Sequence, residues 1–295
     1  AKSTGSEYLN ADRKLSMDSP SAGMEQVSQD GSYLLAADTD STVYLWELAS
    51  GNCIRKWDTD FWNSQGVGGS VLCCSFLNNT EVLAVTESCI ASADITDQTV
   101  RMICELEAPL SQEDAVCALS PDGTLLAVYD LCLEAAYSKD AADLSLRIIR
   151  TSDGETAEVI PIASELSDVI YSSVLHGENM AFSPDSRYLV FPLYYSGSEA
   201  DVQRGALLLA DLKNLSWEII KDEQMPCQKV CFLENGETAV FGCQEDPLSS
   251  LYETTAKGKI SLYDPHSGQC VWQKNLLCQM REGDAAGLLA LTAEI

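Results

Sequence analysis

Positive charge is what this chain has least of. Its 295 residues carry 18 Lys and Arg against 45 Asp and Glu, a formal net charge of -27. Nucleic-acid affinity rests largely on neutralising phosphates, so this balance disfavours DNA and RNA as partners. An anionic membrane surface is disfavoured for the same reason. A protein partner of basic or mixed charge fits better. Histidine is nearly absent: His176 and His266 are the two. No apolar run approaches the ~20 residues that span a bilayer. The start, Ala1-Lys2-Ser3-Thr4-Gly5-Ser6-Glu7, has no hydrophobic signal core and no initiator Met, so the chain is read as a piece of a longer protein. Neither a Gly-x-Ser-x-Gly nucleophile elbow nor a phosphate-cradling glycine loop occurs. A non-catalytic role without a cofactor is therefore expected. Amphipathic-helix spacing is scarce as well; after Ile160-Pro161-Ile162, residues 163–167 are the predicted place for one short helical turn.

Cysteine, by contrast, is abundant, at 12 residues. Cys73, Cys74, Cys117, Cys231 and Cys243 sit in or beside apolar strand-like runs, where a small thiol packs like Val or Ala. Nothing resembles the short cysteine frame of a secreted mini-domain. Reduced core thiols in a reducing, cytoplasmic compartment are expected, against the alternative of disulfides in an exported chain. In that second case the sequons Asn78-Asn79-Thr80 and Asn214-Leu215-Ser216 would matter. Cys227 and Cys231 lack the partners of a zinc site. Asp38-Thr39-Asp40 and Asp58-Thr59-Asp60 offer calcium-type oxygen ligands without a glycine-bearing twelve-residue loop, so turn chemistry is the preferred reading. No metal is expected.

A repeat organises the chain. Asp30-Gly31 separates strand-like Met24–Ser28 from Tyr33–Ala37, and Thr42–Glu47 and Cys53–Trp57 follow. Four further copies run from Val71, Val116, Met180 and Val230, each with about four short apolar and β-branched segments between Gly, Asp, Asn and Ser turns. The second copy is read as Val71–Phe76, Val82–Thr86, Cys89–Asp94 and Val100–Glu105. A unit of this length is one four-stranded blade. A lone sheet cannot bury both faces; ringed sheets can.

Ser-Pro-Asp-Gly at 120–123, Ser-Pro-Asp-Ser at 183–186 and Asp-Gly at 30–31 mark the turns. Trp46-Glu47, Ala93-Asp94, Ala210-Asp211 and Tyr263-Asp264 end the third strands. The pattern over residues 24–275 resembles the WD40-repeat family of β-propellers, in a divergent form without the family's Gly-His dipeptides. The resemblance implies an all-β propeller of four-stranded antiparallel blades and a rigid platform for protein–protein contacts, such as one module of a larger signalling or assembly protein. A propeller enzyme or small-ligand sensor using the central channel is the alternative. Six blades in a single domain, residues 1–295, are expected, the last built from residues 1–18 and 276–295; Leu276–Met280 is read as a strand of that closing blade.

Long insertions separate the second and third strands at Tyr129–Asp143, Tyr194–Gly205 and Cys243–Gly258. In an antiparallel meander these all emerge at one end of the sheet, as does the link Asp58–Ser64. Insertions on one face of a repeat protein mark a binding face. The aromatic and acidic residues there are the predicted partner-binding set: Phe61, Trp62, Tyr129, Tyr137, Tyr194, Tyr195, Glu199, Asp201, Glu245, Asp246 and Tyr252. The competing reading is that long hairpins simply pack on one another.

Overall fold

The computed structural model describes residues 22–38, 40–111, 115–130, 145–162, 174–176, 179–196, 203–222, 227–245 and 253–281. The chain divides into two units, Ala1–Pro109 and Leu110–Ile295. In the first unit, β1 (Ala22–Val27), β2 (Tyr33–Asp38), β3 (Val43–Glu47) and β4 (Asn52–Trp57) form one antiparallel meander. After the helix α1 (Thr59–Ser64), β5 (Val71–Phe76), β6 (Glu81–Thr86), β7 (Cys89–Asp94) and β8 (Val100–Glu105) form the next. Strand alternation assigns the faces. Val43 and Leu45 join Trp57 and the side chains of β5 to β7 in the core between the two sheets, while Tyr44 and Trp46 stack on the opposite face.

The second unit holds three sheets. The first is β9 (Ala115–Leu119), β10 (Leu125–Asp130), β11 (Ser145–Arg150) and β12 (Thr156–Pro161). Next come β13 (Val174–His176), β14 (Ala181–Phe182), β15 (Tyr188–Ser196), β16 (Gln203–Asp211) and β17 (Ser216–Asp222). Here β13 and β14 share one position: they pair with 193–195 and 189–190 of β15, so the ladder on that side skips Phe191 and Pro192. Proline has no N–H for a ladder, and the break falls beside it. The last sheet is β18 (Cys227–Phe232), β19 (Thr238–Glu245), β20 (Glu253–Tyr263) and β21 (Cys270–Arg281). The middle sheet is buried on both faces. Leu189, Phe191 and Leu208 pack on Tyr129, Leu146 and Ile148; Val190, Leu207 and Leu209 pack on Val230, Val240 and Tyr263. That accounts for the unbroken apolar run Ala206–Ala210.

Three turns between first and second strands share one network. The hydroxyls of Ser28, Ser120 and Ser183 donate to Asp30, Asp122 and Asp185 at 2.7, 2.7 and 2.6 Å. Each also accepts the backbone N–H of the residue opening the next strand, from Tyr33, Leu125 and Tyr188. The third turn residue has φ of 71° at Gly31, 71° at Gly123 and 58° at Ser186. Only glycine takes that conformation freely. Ser186 holds it while its hydroxyl accepts the Asp122 N–H at 3.1 Å, tying two sheets of the second unit together. Amide side chains make similar ties. Gln26 accepts from the Phe76 N–H at 2.8 Å. Asn179 donates to the Val230 carbonyl at 2.8 Å and accepts its N–H at 3.1 Å.

Several expectations change. Leu276–Met280 does not open another blade; it continues β21, where Leu276 lies opposite Gly258 and Met280 opposite Thr254. Much of the insertions Tyr194–Gly205 and Cys243–Gly258 is strand rather than loop, since β15, β16, β19 and β20 run on into them. The link Asp58–Ser64 is helical. His176 ends a strand and lies opposite Leu193. Residues 1–18, 282–295 and 163–167 lie outside the described residues. Cys53, Cys73, Cys74, Cys89, Cys104, Cys117, Cys227, Cys231 and Cys270 are in no disulfide. Cys73 and Cys74 are buried as expected, but Cys117 is half-buried and Cys231 exposed.

Candidate functional site

Two of the predicted contact aromatics belong to the interior. Asp58 caps α1 by accepting the Phe61 N–H at 2.9 Å, the usual use of an Asp before a helix. This capping holds Trp62, fully buried at 0 % exposure, beside Trp57, with ring centroids 6.3 Å apart. Phe61 meets Trp62 edge-on at 5.3 Å and is half-buried against the same core. Tyr129 is also 0 % exposed and meets Phe191 edge-on at 5.0 Å; its burial pushes the phenol pKa up. Trp62 and Tyr129 are therefore packing residues, unavailable to a partner at the surface. Tyr194 and Tyr195 lie on β15 opposite Gly205 and Arg204, and Glu245 ends β19 opposite Ala256. Tyr137, Glu199, Asp201, Asp246 and Tyr252 lie outside the described residues. The two Asp-Thr-Asp segments serve backbone structure. Asp58 caps the helix, and Asp38 accepts from the N–H groups of Asp40 and Thr42 and from the Tyr44 hydroxyl. Among the described residues no group of His, Cys, Asp and Glu is placed to hold a metal ion.

A cleft of about 340 Å³ opens at the other end of the sheets in the second unit. It is lined by the start of β15 (Tyr188), the end of β16 (Leu209, Asp211), Asn214, the start of β17 (Ser216 to Glu218) and the turn residues Pro265 and His266. Two clamps shape it. Arg187 gives Asp211 two hydrogen bonds, at 2.7 and 3.3 Å, and its guanidinium lies 4.7 Å from the Tyr188 ring centroid. The Tyr188 hydroxyl meets His266 Nδ1 at 3.3 Å. The Arg187 bond, helped by the Asn214 N–H, holds the Asp211 pKa down to about 2. Asp211 is fully used, because the N–H groups of Lys213 and Asn214 and the Asn214 amide also donate to it. Opposite, Glu218 lies so close to Gly268 that a Cβ there would collide with its carboxylate. The cleft thus presents a phenol, an imidazole and carboxylates to solvent, a polar surface for hydrogen bonding.

His266 lies in the turn after β20, and nothing in its local sequence points to this cleft. Its walls come from turns separated by the whole of β17, β18, β19 and β20. The one available signal was the acid closing each third strand, Asp211 and Asp264. Asp264 accepts from the His266 N–H and the Ser267 hydroxyl, which orders the turn.

The family model described as "WD domain, G-beta repeat" matches residues 21–47, the stretch of β1 to β3 that ends in Trp46-Glu47. The crystal structure of the C-terminal WD40 domain of Sif2 superposes with a TM-score of 0.52 at 14% identity, covering 83% of this chain. The fold is WD40-like. The chain spans 56% of that Sif2 structure. Comparison with curated proteins gives no match. WD40 propellers are generally platforms for protein interaction and typically non-catalytic. The WD40-like sheets here keep the turn acids and the closing Trp46, while His176 and His266 stand outside any Gly-His pair.

Proposed function

We propose that this chain is a non-catalytic interaction module that takes a basic protein segment on the acidic ends of its second-unit hairpins. The observation that carries this is the common placement of three connections. Residues 131–144, 197–202 and 246–252 each join the second strand of a sheet to its third, at the same end of the meander. They contain Glu134, Asp140, Asp143, Glu199, Asp201 and Asp246 against one base, Lys139. Tyr137, Tyr252 and the neighbouring Tyr194 and Tyr195 add area that orders at low entropic cost. The charge of the whole chain steers a basic partner toward it.

Titration with a lysine- and arginine-rich peptide tests the reading. Binding is expected to weaken about tenfold when Glu199→Gln, Asp201→Asn, Glu245→Gln and Asp246→Asn are combined, about 1.4 kcal/mol. It should also weaken with added salt. Equal affinity of the variant and the parent chain refutes this site.

A further inference from the structure

The outer strand of the last sheet departs from the others. β4, β8 and β12 have 6 residues and β17 has 7, whereas β21 has 12. One side of β21 pairs with β20 along its whole length; among the described residues its other side pairs with nothing. Residues 270–275 are exposed without interruption. Val271 and Trp272 are 52% and 42% exposed, and the register with β20 slips by one residue there, so that Val271 lies opposite no residue. Trp272 is the one aromatic among the exposed large hydrophobic residues described.

Charge sets this strand apart further. Residues 253–263 and 270–281 contain Lys257, Lys259, Lys274 and Arg281 against one acid, Glu253, which lies opposite Arg281 at the far end of the pair. Lys274 is exposed in the middle of the free edge. A long, apolar, open edge is a template for another strand. A cationic edge selects what pairs there. Pairing with a second copy sets the positive edge against itself, and like charges across strands are unfavourable. An acidic extended segment gains both the backbone ladder and the opposite-charge pairs.

We infer that β21 is a docking edge for an extended, acidic segment of a partner protein, which adds as a further strand and covers Val271 and Trp272. This is a surface separate from the acidic hairpin ends, and it takes the opposite charge.

The test is hydrogen exchange on the 295-residue chain with the peptide Thr-Val-Glu-Val-Asp-Val-Thr, capped at both ends. The control peptide carries Lys in place of Glu and Asp. The acidic peptide is expected to slow exchange along 270–275, and the control is not. Lys274→Glu, at an exposed position, should weaken binding about tenfold without changing the melting temperature, and Trp272→Ala should weaken it by a similar factor. Several results overturn the inference: no binding at about 1 mM, protection elsewhere but not on β21, or equal binding of the lysine peptide. Protection of β21 that appears without peptide and grows with protein concentration also overturns it, in favour of a second copy.

Discussion

The serine that opens each tight turn does more than its size suggests. Ser183 is 3% exposed; its Oγ donates to Asp185 at 2.6 Å and accepts the Tyr188 N–H at 2.8 Å. Removing that oxygen leaves a buried backbone donor unpaired, which costs about 1–3 kcal/mol. Ser183→Ala is therefore expected to destabilise the chain by about 2 kcal/mol, read as a thermal midpoint lower by several degrees. A shift equivalent to less than about 0.5 kcal/mol would contradict this, since that is the ordinary range of a surface change. The same chemistry made these turns legible in the sequence. Ser and Asp two positions apart, followed at two of the three turns by the glycine that positive φ favours, is a local signal complete within five residues.

At the scale of elements, what could be read and what could not divide by the range of the interactions. The strands Val71–Phe76, Cys89–Asp94 and Val100–Glu105 have the bounds expected from them, because short apolar segments there end in local turn residues. The helix α1 was missed: it has six residues and buries one, Trp62, which is too little to generate a period. The hairpin extensions were missed because their polar residues and glycines resemble loop sequence, and only the facing strand holds them extended. Of the predicted contact set, Trp62 and Tyr129 were misplaced for a related reason. An aromatic beside a turn reads as exposed until the neighbouring sheet covers it. Trp62→Ala should cost about 3–5 kcal/mol in denaturant unfolding. Trp62→Phe should cost clearly less, since the buried indole N–H has no hydrogen-bond partner among the described residues to lose. Equal losses in the two variants would show that the indole packing has been misjudged.

For the whole molecule, acid is the informative perturbation. Asp185, Asp211 and Asp264 all titrate below the ordinary carboxylate value, through the Ser183 hydroxyl, the Arg187 guanidinium and the Ser267 hydroxyl respectively. In the unfolded chain these groups return to about 3.9. Between that value and the folded value the unfolded state binds more protons, so stability falls as pH falls. The contribution of Asp211 is complete above about pH 4 and is lost on descent toward pH 2, where its folded pKa lies at about 2. Melting temperature measured from pH 5 to pH 2 should drop through this window, and the drop should be shallower in Asp211→Asn. An identical profile in the variant would remove Asp211 from this account.

The amide ties have a consequence for how such a chain tolerates change. Gln26 and Asn179 grip the main chain of the adjacent sheet, at Phe76 and Val230, and Gln26 accepts the Ser75 hydroxyl at 2.8 Å as well. The main-chain bonds of such a clasp ask nothing of the residue type they hold. The sheets that carry Phe76 and Val230 can replace most of their side chains while the neighbouring sheet keeps hold of them. Five copies can then diverge until little more than turn serines, aspartates and strand lengths remain alike, and the register between neighbouring copies still survives.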